Sequence, residues 1–141
     1  MDWMTPPPVL YLIDGSAYLY RAFFALPDLS TAAGLPTNAV YGFITMLQKI
    51  IRERRPDCLA VVFDEKGPTL RHEEFKAYKA HRPPMPDALS QQIPYIHRVV
   101  DAFAIPVVKL QGFEADDLIG ALARQAASEG LDVVIDRKSV V

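Results

Sequence analysis

The chain has 141 residues, half of them hydrophobic and 23% charged, which suits one globular domain and excludes disorder, collagen and a solvated tail. A formal charge of −2 argues against a polycation that grips nucleic acid by charge alone, and the single cysteine, Cys58, permits no intrachain disulfide. The longest uncharged run, Leu29 to Gln48, is interrupted by Ser30, Thr31, Pro36, Thr37 and Asn38. No membrane span or secretory signal is therefore expected, and the chain reads as a cytoplasmic protein.

Residues 1–8 form an extended lead-in around Pro6-Pro7-Pro8. The apolar run Val9 to Ile13 then reads as a buried strand ending at Asp14-Gly15, with Ser16 as the cap of a following helix. Val40, Ile44, Leu47 and Ile51 recur at helical spacing after a capping candidate, Asn38. Arg52, Arg54 and Arg55 suit the basic end of that helix. A second strand, Cys58 to Phe63, ends at Asp64, with Cys58 as a small core residue.

Lys66 to Pro86 differs from the rest in being polar, basic and aromatic, and is too long for a tight connection. Leu89, Ile93, Ile96, Val100 and Phe103 suggest one helix after Asp87, kinked at Pro94. A third strand spans Pro106 to Leu110, and a helix carrying Leu118, Ile119, Leu122 and Ala126 stops near Gly130. A fourth strand starts at Val133. Alternating strands and helices, with strands apolar on both faces, predict an α/β fold with a mostly parallel sheet flanked by helices.

Asp14, Asp64 and the cluster Glu114-Ala115-Asp116-Asp117 all fall at or just after carboxyl ends of predicted strands, where open parallel sheets bind ligands. Two carboxylates about 6 Å apart repel by roughly 3 kcal/mol at an effective dielectric near 20, so a shared cation would relieve the cluster. All-oxygen donors suit Mg²⁺ or Mn²⁺ rather than zinc. Singly, each acid has an ordinary explanation as a helix-start or turn residue. Asp116 and Asp117 also diverge by the helical turn angle, so they would flank different ions rather than form one ligand face. The coincidence of all five at one edge favours the metal site.

Competing motifs are absent. No glycine-rich dinucleotide or P-loop pattern follows a strand, and His72, His81 and His97 lack zinc spacing. Arg71, Phe75, Lys76, Tyr78, Lys79 and Arg82 combine cations for phosphates with aromatics for bases, the two ingredients of single-strand binding. A solvated amphipathic helix with Phe75 and Tyr78 turned inward would give the same spacing.

Asp14-Gly15-Ser16-Ala17-Tyr18-Leu19-Tyr20-Arg21, Phe63-Asp64, the stretch from Arg71 to Pro86, and Gly112 to Asp117 together resemble the 5′–3′ exonuclease domain of bacterial DNA polymerases I, in the flap endonuclease superfamily. The resemblance runs from about Val9 to Ile135 and implies a PIN-like 5′ nuclease core with a basic helical gateway. It implies a phosphodiesterase using two Mg²⁺ or Mn²⁺ ions in the complete domain. The substrate would be DNA bearing a 5′ flap or RNA primer end, and the full-length form a monomer near the bacterial nucleoid. Asp14, Asp64, Glu114 and Asp116 match first-metal carboxylates, and Asp117 one for the second ion. Lys79 and Arg82 match gateway cations on the scissile phosphate; Tyr20, Arg21, Arg71, Phe75, Lys76 and Tyr78 would contact DNA.

The pattern is broken at one place. After its fourth strand the family continues to Gly-Asp-Lys-Asp, whereas this chain reads Asp136-Arg137-Lys138-Ser139-Val140-Val141. Those six residues are what a common sequencing adapter encodes before a stop codon. Residues 136–141 are therefore expected to be a non-native tail, and 9–135 the amino-terminal portion of the domain. Such a fragment should hold at most one ion well, show little nuclease activity and expose apolar surface at Val133–Ile135. A phosphatase with Asp14 as nucleophile would want a second aspartate where Ser16 stands. A DNA-binding module without catalysis would use the basic segment alone.

Overall fold

The computed structural model describes residues 5–64 and 85–137. In chain order its elements are β1 (Val9–Asp14), α1 (Gly15–Ala25), α2 (Asn38–Arg54), β2 (Cys58–Val62), α3 (Asp87–Ser90), α4 (Ile93–Ala102), β3 (Val107–Val108), α5 (Ala115–Ser128) and β4 (Asp132–Asp136). The described strands form one parallel sheet in the order β3-β2-β1-β4. Parallel pairing demands crossover connections, and the helices supply them.

Side chains alternate across the sheet and sort the core into two layers. Tyr11, Ile13, Val61 and Phe63 face α1, α2 and α4, meeting Tyr18, Leu19, Phe43, Leu47, Ile96 and Val100. Leu12, Ala60 and Val62 face the other way, onto Ala115 and Ile119 of α5. The expected α/β architecture is thus observed, with helices on both faces.

Several local expectations need correction. Ser16 is not the cap of α1: Asp14 is, its Oδ1 accepting the Ala17 N–H at 3.0 Å. Asn38 does not cap α2 either; Thr37 holds that position without a side-chain bond, and Asn38 is buried as the first helical residue. The expected kinked helix after Asp87 is two helices. Pro94 has no N–H to donate to Ser90, so α3 stops there and α4 begins afresh with Pro94 in its first turn, where no donor is needed. The third strand shrinks to Val107–Val108 because β2, with which it pairs, ends at Val62. Cys58 is exposed, since it opens β2 at the uncovered end of the sheet.

A pair of buried amides ties the helical layer together. Gln92, fully buried between α3 and α4, accepts from Ala39 N at 2.8 Å and Val40 N at 3.0 Å through Oε1. Its Nε2 donates to Asn38 Oδ1 and Ala88 O, both at 2.9 Å. Asn38 Nδ2 in turn donates to Phe23 O at 2.9 Å. The N-terminus of α2 is therefore capped from another element, which explains how Thr37 can leave it uncapped.

β4 lies at one edge of the described sheet, with Val134 and Ile135 exposed as the sequence suggests. At its end the Tyr11 and Tyr18 hydroxyls both donate to Asp136 Oδ2 at 2.7 Å. Burial first, then donation to Asp136, push the Tyr11 hydroxyl up to about 12 and raise that of Tyr18 as well. Among the described residues no helix is long and apolar enough to cross a membrane.

Candidate active site

The carboxyl ends of β1 and β2 and the start of α5 meet at one edge of the sheet. Asp14 closes β1 opposite Val62 of β2, and Asp64 follows two residues later. Each of these aspartates uses one carboxylate oxygen on a helix N-terminus, where unpaired N–H groups and the helix dipole favour negative charge. Asp14 serves its own helix α1 through Ala17, whereas Asp64 reaches across to α5, its Oδ1 accepting the Ala115 N–H at 2.7 Å.

Asp14 is 7% exposed. Burial is the main reason its carboxyl sits above the ordinary aspartate range, and the charges of Asp116 and Asp64 raise it further. The Ala17 N–H pulls it the other way. Asp14 thus feels the charges of Asp116 and Asp64, a repulsion that a shared cation would relieve.

Glu114 and Asp117 are placed differently. Glu114 is buried as the N-cap of α5 and forms a capping box with Asp117, whose Oδ2 accepts the Glu114 N–H at 3.3 Å. That box turns Asp117 back onto the helix start, while Asp116, half exposed, points out and lies 3.7 Å from Arg137 Nε. The divergence expected between Asp116 and Asp117 from helical geometry is the observed one.

Among the described residues no three acidic, histidine or cysteine side chains converge tightly enough to hold an ion as a trio. The donor set nevertheless fits Mg²⁺ or Mn²⁺ chemically: it is all carboxylate, and mutual repulsion already burdens Asp14. Mg²⁺ keeps several of its waters and takes only one or two carboxylates directly, so a loosely spaced set is compatible with it.

The expected DNA-contacting residues divide in two. Tyr20 and Arg21 lie on α1; the Tyr20 ring stacks on Phe24 with centroids 6.4 Å apart, and Arg21 is exposed. Arg71, Phe75, Lys76, Tyr78, Lys79 and Arg82 lie outside the described residues. Beside Asp64 a cleft of about 700 Å³ runs between α1 and α4, walled by Tyr20, Phe63, Met85, Ile93, His97 and Lys109.

Sequence reading missed the role of Ser16. Its Oγ accepts the Asp64 backbone N–H at 3.0 Å, joining the start of α1 to the end of β2. The available signal was Asp14 itself: an aspartate at the N-cap leaves a serine two positions later unneeded for capping.

The 5′–3′ exonuclease, N-terminal resolvase-like domain model matches residues 9–137. DNA polymerase I of Caldicellulosiruptor bescii is 49% identical over 126 residues, which make up 89% of this chain and 15% of that protein. The 5′–3′ exonuclease of Aquifex aeolicus is 48% identical over 126 residues, 89% of this chain and 44% of that one. The chain therefore spans less than half the length of these relatives. A crystal structure of the bacteriophage T5 flap endonuclease with DNA and metal ions superposes with a TM-score of 0.61 at 18% identity, over 90% of this chain and 47% of that one. At that identity the likeness speaks to the fold. Membership sets the phosphatase reading aside: this chain belongs to the family of 5′–3′ exonuclease N-terminal resolvase-like domains.

Proposed function

We propose that this chain carries the amino-terminal part of a divalent-metal 5′ nuclease site acting on DNA with a 5′ flap or RNA primer end. The observation that supports this most is that Asp14 and Asp64 reach the same carboxyl edge of a parallel sheet and that Asp64 is bonded there to the start of α5, which carries Asp116. Relatives at about half identity are themselves described as DNA polymerase I or 5′–3′ exonuclease, and the phage nuclease of the same fold was crystallised with DNA and metal ions.

On this reading Asp14, Asp64, Glu114 and Asp116 hold the first Mg²⁺ or Mn²⁺, and Asp117 serves a second in the complete domain. The ions would supply charge stabilisation and an activated water for phosphodiester hydrolysis. Asp14 and Asp64 each keep one oxygen on a helix end, which would leave the other oxygen for a cation. Lys79 and Arg82 would offset charge on the reacting phosphate; Tyr20, Arg21, Arg71, Phe75, Lys76 and Tyr78 would hold the strand by stacking and phosphate contacts. The protein would work as a monomer near the bacterial nucleoid.

Manganese titration tests the site. The 141-residue chain should bind Mn²⁺, and simultaneous Asp14→Ala, Asp64→Ala and Asp116→Ala should abolish binding; unchanged binding in that variant overturns the reading. In a chain extended through the rest of the domain, Lys79→Ala and Arg82→Ala should lower the single-turnover cleavage rate of a 5′-flap substrate far more than its affinity. Equal losses in affinity and rate would instead make them ordinary phosphate contacts, and a DNA-binding module without catalysis would show no cleavage at all.

A further inference from the structure

The carboxylates of the site arrive on three separate elements: Asp14 on β1, Asp64 beyond β2, and Glu114, Asp116 and Asp117 at the start of α5. The β1–β2 ladder aligns only the first of these junctions, and it ends at the Asp14–Val62 pair, before Asp64. α5 packs on the face of the sheet opposite α1, so no shared core layer sets one against the other.

Two hydrogen bonds in series bridge that gap. Ser16 Oγ, in the first turn of α1, accepts the Asp64 N–H at 3.0 Å. Asp64 Oδ1 then accepts the Ala115 N–H at 2.7 Å. The series runs from α1 on one face, over the carboxyl edge of the sheet, to α5 on the other. Its middle member is a proposed metal ligand. Since the Asp14 side chain already caps α1, the Ser16 hydroxyl is not used for that purpose.

The geometry points to Ser16 as the residue that positions Asp64 against α5, holding the Asp64 backbone so that its side chain spans to the Ala115 N–H. This rests on the metal-site reading above. Partners that orient ligands in this way are worth about 10–100-fold in metal affinity. Ser16 touches neither ion nor substrate in this account; it acts through Asp64.

The test is Mn²⁺ affinity of the 141-residue chain, followed by the electron paramagnetic resonance signal of free Mn²⁺, with thermal midpoints recorded alongside. Ser16→Ala should weaken binding by about tenfold or more. Ser128→Ala removes a comparable side-chain bond, from Ser128 Oγ to Gln125 O at 2.7 Å, far along α5, and should leave the affinity unchanged. Ser16→Thr and Ser16→Val differ by one hydroxyl in place of a methyl; Thr should bind like the parent and Val like Ala. If Ser16→Ala does not fold, that pair carries the comparison. In the metal-free parent the Asp64 amide should exchange slowly with solvent, and quickly in Ser16→Val.

Parent-like affinity in Ser16→Ala or Ser16→Val, or Ala-like affinity in Ser16→Thr, overturns the role of Ser16 while leaving the metal site standing. No Mn²⁺ binding by the parent chain overturns the metal-site reading itself, and the role of Ser16 falls with it.

Discussion

The Ala115 N–H donates to the Asp64 carboxylate at 2.7 Å, so a residue beyond the end of β2 caps a helix 51 positions later in the chain. A proposed metal ligand therefore also contributes to folding. Asp64→Ala should destabilise the metal-free protein by about 1 kcal/mol, the usual cost of a lost cap, and Asp64→Asn by less because the amide oxygen still accepts. Urea unfolding in the presence of a chelator measures both. Equal stability of Asp64→Ala and parent would mean that the capping bond contributes nothing.

Asp14 has the opposite effect at neutral pH. Its carboxyl titrates above the ordinary 3.8 in the folded protein because burial penalises its charge and Asp116 and Asp64 repel it. The folded state then binds that proton more tightly than the unfolded chain, so the contribution of Asp14 to stability falls as pH climbs from about 4 through the raised value. Asp14→Asn keeps an N-cap acceptor and removes the charge. It should be more stable than the parent at pH 7, with the difference vanishing near pH 3. Millimolar Mg²⁺ should stabilise the parent at pH 7 and leave Asp14→Asn unmoved. Thermal melts across that range, with and without Mg²⁺, decide both points.

Gln92 makes four hydrogen bonds in a position closed to solvent. Gln92→Met fills similar volume but strands two N–H groups at the start of α2, the Asn38 side chain and the Ala88 carbonyl. Two of these bonds, to Ala39 N and Asn38 Oδ1, are buried, and an orphaned buried group costs about 1–3 kcal/mol, so a loss of about 2–6 kcal/mol is expected. Asn38→Ala should cost less, since Gln92 keeps its other partners. A loss under 1 kcal/mol for Gln92→Met in urea titration would contradict the network.

Gly15 lies against the far side of Phe63. A methyl group there would stand 2.6 Å from Phe63 Cε1 and 2.7 Å from Val61 Cγ1, well inside van der Waals contact. Phe63 cannot swing away freely, because it stacks on Phe43 at 6.2 Å and packs on His97 at 4.6 Å between ring centroids. Gly15→Ala should cost about 2–3 kcal/mol by overpacking, despite the better helix propensity of alanine. It should also displace Asp14 and Asp64, which flank the contact, and so weaken Mn²⁺ binding more than Gly120→Ala, where a methyl group meets open space.

Periodicity and strand-end chemistry were sufficient to read the parallel α/β fold and the gathering of five acids at one edge, because both are local patterns repeated along the chain. Apart from the exposed Cys58, the apolar runs Val9–Ile13 and Cys58–Phe63 lie wholly or partly buried between helical layers, and each run is followed by an acid. Tertiary structure decided what those acids do besides carry charge. Whether Asp14 or Ser16 caps α1 depends on where the Asp64 N–H arrives, 48 residues away, and no local spacing encodes that. The same holds for α2, whose N-terminus is capped by Gln92 from 53 and 52 positions downstream rather than by its neighbour. Asp117 matched a metal position by sequence, and the fold shows that it also closes a capping box with Glu114. Sequence by itself determined which residue types reach the edge of the sheet. Only the fold decided which of them face one another, since the hydrogen bonds that join them link residues 48 and 51 positions apart, which no local pattern encodes.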